Sequence, residues 1–265
     1  MVSRSAVGIV STGRALPVSH VSNQDLETVV ETSDQWITSR TGIKERRIVN
    51  SAETCSGLAT IASKIALERA GLRPAEIDLL IVATVTPDRQ MPSAACLVQA
   101  NLQAYNAAAF DLAAGCTGFL FGLNVAEQYL KAGTLKNVLL VGVDILSPFV
   151  NWQDRNTCVL FGDGAGAVVM TNVEPGRGLQ ASKIFSDGHK AGLLYVPSGG
   201  SSSPASLRTV RERRHYIRMN GPEIFKFAVN TMVDSTLQVL EMCGKTTADL
   251  DYLLPHQANR RIINF

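Results

Sequence analysis

Hydrophobic residues along this chain recur with two spacings, one typical of strands and the other of helices. Short, continuous apolar runs at 79–85 and 138–143 predict buried strands. Apolar positions three and four residues apart at 58–70 and 120–132 predict helices with one buried face. Strands that alternate with helices in this way predict an α/β fold with a mainly parallel sheet.

One such unit is repeated later in the chain. Residues 66–83 align without a gap with residues 239–256, an offset of 173, and in both segments a helix ends at a glycine and an acidic residue precedes an apolar strand. The match predicts two similar halves, residues 1–173 and 178–265, although a chance resemblance between two helix–loop–strand units stays open. A second half as long as the first extends to roughly residue 340. We therefore expect the second half to be incomplete, by roughly 60–80 residues.

Composition narrows the class of protein. Hydrophobic residues make up 46% of the 265, enough for a large core, and a net charge of +2 without a charged tail gives no reason to expect a nucleic-acid partner. The five cysteines are odd in number and widely spaced, which argues against a disulfide framework and against a metal site. The first ten residues lack the pattern of a signal peptide, and the apolar runs are too short to span a membrane. We expect a cytoplasmic protein without membrane insertion.

The sharpest local feature is Cys116, which lies in DLAAGCTGFLFG directly before an amphipathic helix. Gly115 and Gly118 permit a tight turn from strand to helix, and a helix N-terminus favours a thiolate. This arrangement is typical of a nucleophile. A small buried cysteine with no chemical role is the alternative, and the local sequence does not decide between them.

A second candidate is His256 in LDYLLPHQANRRII. The pattern predicts a strand at 252–254 and the start of a helix at 259–265, so the imidazole lies at the carboxyl end of a strand, where open α/β sheets place their sites. Taken by itself, a structural histidine is the more common outcome.

Six segments together resemble one family, β-ketoacyl-[acyl carrier protein] synthase III of the thiolase superfamily. They are QWITSRTGIKERR, MPSAAC, AAGCTGF, DRNTCVLFGDGAGA, IRMNGPEIFKFAV and LLPHQANRRII, and they span nearly the whole chain. The resemblance implies α-β-α-β-α layers from two similar halves, a homodimer, and no cofactor, because acyl-CoA is a substrate. It also implies an acyltransferase that initiates fatty acid synthesis: an acyl-CoA, expected to be acetyl-CoA, acylates a cysteine, and malonyl-[acyl carrier protein] then condenses with the acyl group.

The resemblance assigns roles to individual residues. Cys116 matches the family's nucleophile and His256 its catalytic histidine, while Met91 stands where many relatives have an acyl-pocket phenylalanine. The remaining positions are contacts for coenzyme A, at Trp36, Arg40, Arg155 and Asn259, and for the acyl carrier protein, at Lys226 and Arg261.

Two alternatives stay open at this point. A paralogue of secondary metabolism shares most of these motifs. A chain that ends before the family's later asparagine motif and oxyanion glycine is expected to be weak or inactive in condensation, and is then a non-catalytic product.

Overall fold

The computed structural model describes residues 6–265. The strands are β1 (Ala6–Ala15), β2 (His20–Ser22), β3 (Glu45–Arg47), β4 (Leu79–Ala83), β5 (Ala108–Leu112), β6 (Asn137–Ile145), β7 (Asp163–Val173), β8 (Leu194–Tyr195) and β9 (Arg218–Met219). The α-helices are α1 (Asn23–Glu27), α2 (Asp34–Thr41), α3 (Cys55–Ala70), α4 (Ala94–Leu102), α5 (Gly118–Lys131), α6 (Arg155–Cys158), α7 (Leu207–Arg211), α8 (Gly221–Met242) and α9 (Arg260–Asn264).

Contacts divide the chain into two compact units. Among the described residues, the first contains 6–19 together with Val49–Ile145 and Asp163–Ile184; the second contains His20–Ile48, Leu146–Gly162 and Phe185–Phe265. The division of the sequence into two similar halves, 1–173 and 178–265, stays a prediction.

The first unit is built on a sheet with the strand order β1-β7-β6-β4-β5. Strand β4 pairs in parallel with β5 and with β6, as the alternation of strands and helices predicts. Strand β7 runs antiparallel to both β6 and β1, so the sheet is mixed, and these two pairs need no crossover helix. The strands and helices predicted around β4, β6, α3 and α5 are confirmed.

Helices cover both faces of this sheet. Because side chains alternate along a strand, Leu80 and Val82 of β4 face the core under α3 and α4, whereas Leu79 and Ile81 face the core under α5. All four are at most 3% exposed. A strand buried on both faces explains the continuous apolar run in the sequence.

Helix α3 lies in direct backbone contact with β1. A Cβ on Gly13 would meet the carbonyl oxygen of Ala62 and lie 2.7 Å from the nitrogen of Ala66, so only glycine fits there. Ala62 and Ala66 are fully buried, and the hydroxyl of Ser11 donates to the carbonyl of Ala66 at 2.6 Å. Small residues therefore set the distance between the helix and the strand.

The second unit has its own core, formed by Leu26, Ile37, Val150, Cys158, Val159 and Ile217. Helix α2 begins after Ser33, whose hydroxyl accepts from the nitrogen of Trp36, and ends at Gly42 in the left-handed conformation. The helix predicted at 259–265 is confirmed as α9.

The strand predicted at 252–254 is wrong. Tyr252 and Leu254 are 86% and 88% exposed, and within residues 6–265 no strand lies beside them. An apolar, β-prone segment becomes a strand only where a neighbour accepts and donates its backbone hydrogen bonds.

Candidate active site

Cys116 lies in a turn at the carboxyl ends of the parallel strands. Strand β5 ends at Leu112, the residues Gly115–Thr117 form a single 3₁₀ turn, and α5 begins at Gly118. Gly115 has a φ of +56°, and Thr117 donates from its hydroxyl to the carbonyl of Ala114 at 2.9 Å. The predicted turn from strand to helix is thus present, with Cys116 exposed at its centre.

Three glycines bring α5 close to the sheet below this turn. A Cβ on Gly118 would lie 3.3 Å from the Cβ of Ala83, at the end of β4. One on Gly122 would overlap Leu140 of β6, and Gly142 of β6 lies under the ring of Phe119. The start of α5, and with it the cysteine, is fixed over the ends of β4 and β6.

The surroundings of Cys116 disfavour its thiolate. Although the residue is exposed, nearby protein atoms withdraw water from the sulfur, and this burial, followed by the negative charge of Asp144, raises the pKa of the Cys116 thiol above its ordinary value. The sequence predicts the opposite, a thiolate favoured by the helix N-terminus. Removal of water and a nearby carboxylate oppose that dipole, so Cys116 at neutral pH is a thiol that must lose its proton during the reaction.

Two other cysteines are poor nucleophiles. Burial raises the pKa of Cys55 to about 12 and that of Cys158 to about 11. Cys96 on α4 is exposed, and Cys243 is half-buried.

Carboxylates hold the connection from β4 to α4, which carries Met91. Asp144 accepts from the nitrogen of Val85, at the start of this connection. Asp88, within the connection, accepts from the nitrogen and the hydroxyl of Ser56 at 3.0 Å each. Asp111 accepts from two backbone nitrogens at the start of α4, at 2.7 and 2.8 Å. Met91 itself is 83% exposed. These carboxylates were not predicted from the sequence, although each is an acidic residue near or shortly after the carboxyl end of an apolar strand.

In the second unit the structure brings together three residues predicted to bind coenzyme A. The guanidinium carbons of Arg40 and Arg155 lie 5.1 and 4.8 Å from the centre of the Trp36 ring. Arg155 also donates to the carbonyl of Glu31 at 2.9 Å. The three side chains form a cationic aromatic cluster, which is suited to a base and phosphates.

His256 and Asn259 lie in the extended segment before α9. Loss of water around the ring lowers the pKa of His256 below its ordinary value, although the residue is largely exposed. The imidazole therefore stays neutral at physiological pH. Asn259 is the N-cap of α9, where its side-chain oxygen accepts from the nitrogen of Arg261 at 2.8 Å. A role of Asn259 in binding coenzyme A stays a prediction.

Lys226 and Arg261, predicted to bind the carrier protein, lie on helices α8 and α9, which contact each other. Lys226 is exposed and pairs with Glu223 at 3.1 Å, while the guanidinium of Arg261 lies 5.6 Å from the centre of the Phe225 ring. Both cations are accessible on the surface of this unit.

No group of His, Cys, Asp or Glu residues within residues 6–265 could hold a metal ion. In the same part of the chain, none of the helices combines the length and the apolar character needed to cross a membrane.

Comparison with known proteins identifies the family. Residues 110–188 match the model of 3-oxoacyl-[acyl-carrier-protein] synthase III. The β-ketoacyl-[acyl-carrier-protein] synthase III of Caldanaerobacter subterraneus subsp. tengcongensis is 55% identical over 263 residues, which cover 99% of this chain and 80% of the relative. The crystal structure of the enzyme from Aquifex aeolicus is 46% identical with a TM-score of 0.89, covering 98% of this chain and 79% of that one. A priming β-ketosynthase of the R1128 polyketide pathway is 33% identical, with a TM-score of 0.87, and covers 98% and 77%. On this similarity and on the thiolase-like fold, the chain belongs to the 3-oxoacyl-[acyl-carrier-protein] synthase III family.

Proposed function

We propose that this protein initiates fatty acid synthesis by condensing an acyl-CoA, acetyl-CoA in the simplest case, with malonyl-[acyl carrier protein]. The observation that carries this proposal is an exposed cysteine, Cys116, in a tight turn between strand and helix of a chain 55% identical to a β-ketoacyl-[acyl-carrier-protein] synthase III. Curated relatives that are 48% to 55% identical bear the name β-ketoacyl-[acyl-carrier-protein] synthase III, whereas the R1128 priming enzyme is 33% identical, and this favours fatty acid synthesis over the polyketide alternative.

In the first half-reaction the sulfur of Cys116 attacks the thioester carbonyl of acyl-CoA. A carbon–sulfur bond forms, the bond to the coenzyme A sulfur breaks, and coenzyme A leaves with the proton that Cys116 gives up. The raised pKa of Cys116 and the lowered pKa of His256 fit a neutral thiol and a neutral imidazole at rest.

In the second half-reaction malonyl-[acyl carrier protein] loses carbon dioxide. The carbon–carbon bond to the carboxylate breaks, and the electron pair forms an enolate, whose oxygen accepts a hydrogen bond from the neutral His256. The enolate carbon attacks the acyl carbonyl, the carbon–sulfur bond breaks, and Cys116 leaves as a thiolate that takes up a proton from water. The product is a 3-oxoacyl-[acyl carrier protein], and the reaction needs no cofactor.

The substrates have candidate binding sites in the second unit. We assign the nucleotide of acyl-CoA to Trp36, Arg40 and Arg155, whose ring and guanidinium groups are 4.8 to 5.1 Å apart. Lys226 and Arg261 offer exposed positive charge to the carrier protein.

We also propose a homodimer, formed along β5. Within the described residues this strand pairs only with β4, so its other edge is open, and its residues are half-exposed or exposed. An open edge invites pairing with a second copy. Met91 is exposed in the same unit and is assigned to the acyl pocket.

All five cysteines are free thiols, which suits the reducing cytoplasm, where we place the protein.

Incubation with acetyl-CoA followed by intact-mass analysis tests the nucleophile. One acetyl group is expected on the protein and none on Cys116→Ala, whereas the control Cys96→Ala, which removes another exposed thiol, acylates normally. Addition of malonyl-[acyl carrier protein] should then discharge the acetyl group as 3-oxoacyl product. Acetylation that persists in Cys116→Ala contradicts the assignment.

A further inference from the structure

Asp144, near the end of β6, forms hydrogen bonds to the loop that follows the neighbouring strand β4. Its Oδ1 accepts from the hydroxyl of Thr84 at 3.1 Å, the nitrogen of Val85 at 2.9 Å and the hydroxyl of Thr86 at 3.0 Å. These three residues follow β4 directly. The start of the β4–α4 connection is thereby fixed by one carboxylate oxygen.

The donors of this network are themselves fixed. Thr84 and Thr86 are 4% and 6% exposed, Thr86 accepts at its hydroxyl from the nitrogen of Ile145 at 2.7 Å, and its own nitrogen donates to Thr84 at 3.1 Å. The second carboxylate oxygen of Asp144, Oδ2, has no hydrogen-bond partner within residues 6–265. Oδ1 of Asp144 thus has a structural role, and within residues 6–265 no salt bridge pairs the carboxylate with a cation.

This charge lies at the sheet edge where α5 begins. Gly142 of β6 lies two residues before Asp144, and Phe119 of α5 lies three residues after Cys116. A Cβ added to Gly142 would lie 3.4 Å from the ring of Phe119. Helix α5 therefore contacts β6 close to Asp144, and Cys116 lies at the start of that helix.

The other ionisable groups of the first unit at this edge include Asp88, Asp111, Asp163, Cys55 and Arg89. Asp163 is the register partner of Ile145, is 6% exposed and accepts from the nitrogen of Val49 at 2.8 Å. Asp88 and Asp111 each bind backbone nitrogens at the start of a helix, which offset part of their negative charge. Cys55 is buried and Arg89 is exposed. Asp144 differs from Asp88 and Asp111 because it binds no helix N-terminus.

We propose that Asp144 is a positioning residue of the nucleophile turn, which keeps Cys116 protonated in the unacylated protein and makes its sulfur a poor leaving group once acylated. The proposal rests on the role of Cys116 as nucleophile. A thiolate near a carboxylate is disfavoured, whereas a thiol or a thioester carries no charge and is not. Because a thiol of higher pKa leaves more slowly, water should displace acyl groups from Cys116 slowly. The raised pKa of Cys116, with Asp144 second among its causes after burial, agrees with this role.

Asp144→Asn tests the charge and keeps an oxygen that can accept the same three hydrogen bonds. We expect the pH profile for alkylation of Cys116 by iodoacetamide to move to lower pH, by about half to one unit, so that the thiolate fraction at pH 8 rises roughly three- to tenfold. The acetylated variant should also lose its acetyl group to water faster. In hydrolysis the oxygen of water bonds to the acyl carbon, the carbon–sulfur bond breaks, and the products are acetate and Cys116 thiol.

Two variants serve as controls. Asp78→Asn removes a carboxylate from the opposite end of the sheet, where it accepts from the nitrogens of Lys136 and Asn137 at 2.7 and 3.0 Å, and should leave the profile unchanged. Thr86→Val removes one hydrogen bond to Asp144 and leaves the charge of Asp144 in place. It should therefore lower stability without moving the pH profile for alkylation of Cys116. An equal shift in Asp78→Asn shows an effect of net charge and overturns the proposal, as does an unchanged profile in Asp144→Asn.

A measurement on the unmodified protein covers the case in which Asp144→Asn fails to fold. Added potassium chloride screens the carboxylate, so the alkylation profile should move to lower pH as salt rises. A profile independent of salt, together with an unfolded Asp144→Asn, leaves Asp144 with a structural role only and refutes the proposal. Alkylation reports on the thiol whether or not the protein condenses acyl groups, so failure here is distinct from failure of the proposed function.

Discussion

Because α5 packs closely on β6 at Gly122, we predict that Gly122→Ala lowers the stability of the fold and the rate of the first half-reaction. The added methyl group would overlap Leu140, a fully buried residue whose Cδ2 would be 3.3 Å away and whose Cδ1 would be closer still. Replacing glycine by alanine inside a helix should itself stabilise by about 1 kcal/mol. Overpacking a core typically costs about 1–3 kcal/mol, so the net loss is expected to be about 1 kcal/mol.

The functional effect follows from the position of the helix. If α5 moves away from β6 to relieve the overlap, Cys116 moves with it, and small misplacements of a reacting group are costly. We expect acetylation of Cys116 to slow by about tenfold. The assays are urea unfolding and the rate of acetyl transfer from acetyl-CoA, followed by intact mass.

The same interface supplies a control and a rescue. Gly142→Ala adds a methyl group at 3.4 Å from the ring of Phe119, which is ordinary contact, and should be tolerated. Leu140→Val removes the overlapping atom, so combined with Gly122→Ala it should cost less than the two single changes added together. If Gly122→Ala is instead more stable by about 1 kcal/mol, with acetylation unchanged, Leu140 turns aside and α5 is not held as we describe.

Three further predictions concern binding, pH and reactivity. Trp36→Ala and Arg155→Ala should each raise KM for acetyl-CoA about tenfold with little change in kcat. Acetyl-pantetheine lacks the nucleotide, so both variants should react with it as well as the unmodified protein does. A loss of activity with acetyl-pantetheine points to damage of the fold. Because burial lowers the pKa of His256, the neutral ring persists below its ordinary pKa of 6.5, and the rate of condensation should hold down to that pH and fall below it; a half-point above 6.5 in the pH–rate profile contradicts this. At pH 8 iodoacetamide should modify the exposed Cys96 and spare Cys55, whose pKa of about 12 leaves roughly one thiolate in ten thousand; modified Cys55 in a peptide map refutes the burial argument.

Periodicity predicted the parts of the fold that are decided locally. The apolar runs of β4 and β6 and the amphipathic pattern of α5 identify these elements because burial on one or two faces leaves a direct mark on the sequence. The antiparallel course of β7 leaves no such mark, since a buried strand reads the same in either direction. The failed strand at 252–254 shows the same limit: pairing depends on a neighbour, and the pattern of one segment does not contain it.

The candidate site was predictable only as single residues. The turn of Cys116 could be read from Gly115 and Gly118, and the resemblance to a family supplied Trp36 and Arg155. The raised pKa of Cys116 could not be read, because it depends on how closely α5 packs and on Asp144, which is 28 residues further along the chain. Electrostatic effects of this kind depend on distances that the sequence does not state.

The contact of α3 with β1 also has a consequence for exchange of backbone hydrogens. With no side chain between Gly13 and the helix, water cannot reach the amides around Ala62 unless helix and strand separate, which exposes the core. These amides should therefore exchange with deuterium only when the first unit unfolds as a whole, while those of the exposed turn at Cys116 exchange through local opening. The interface between α3 and β1 would then exchange slowly, whereas the turn that carries Cys116 would open on a much shorter timescale.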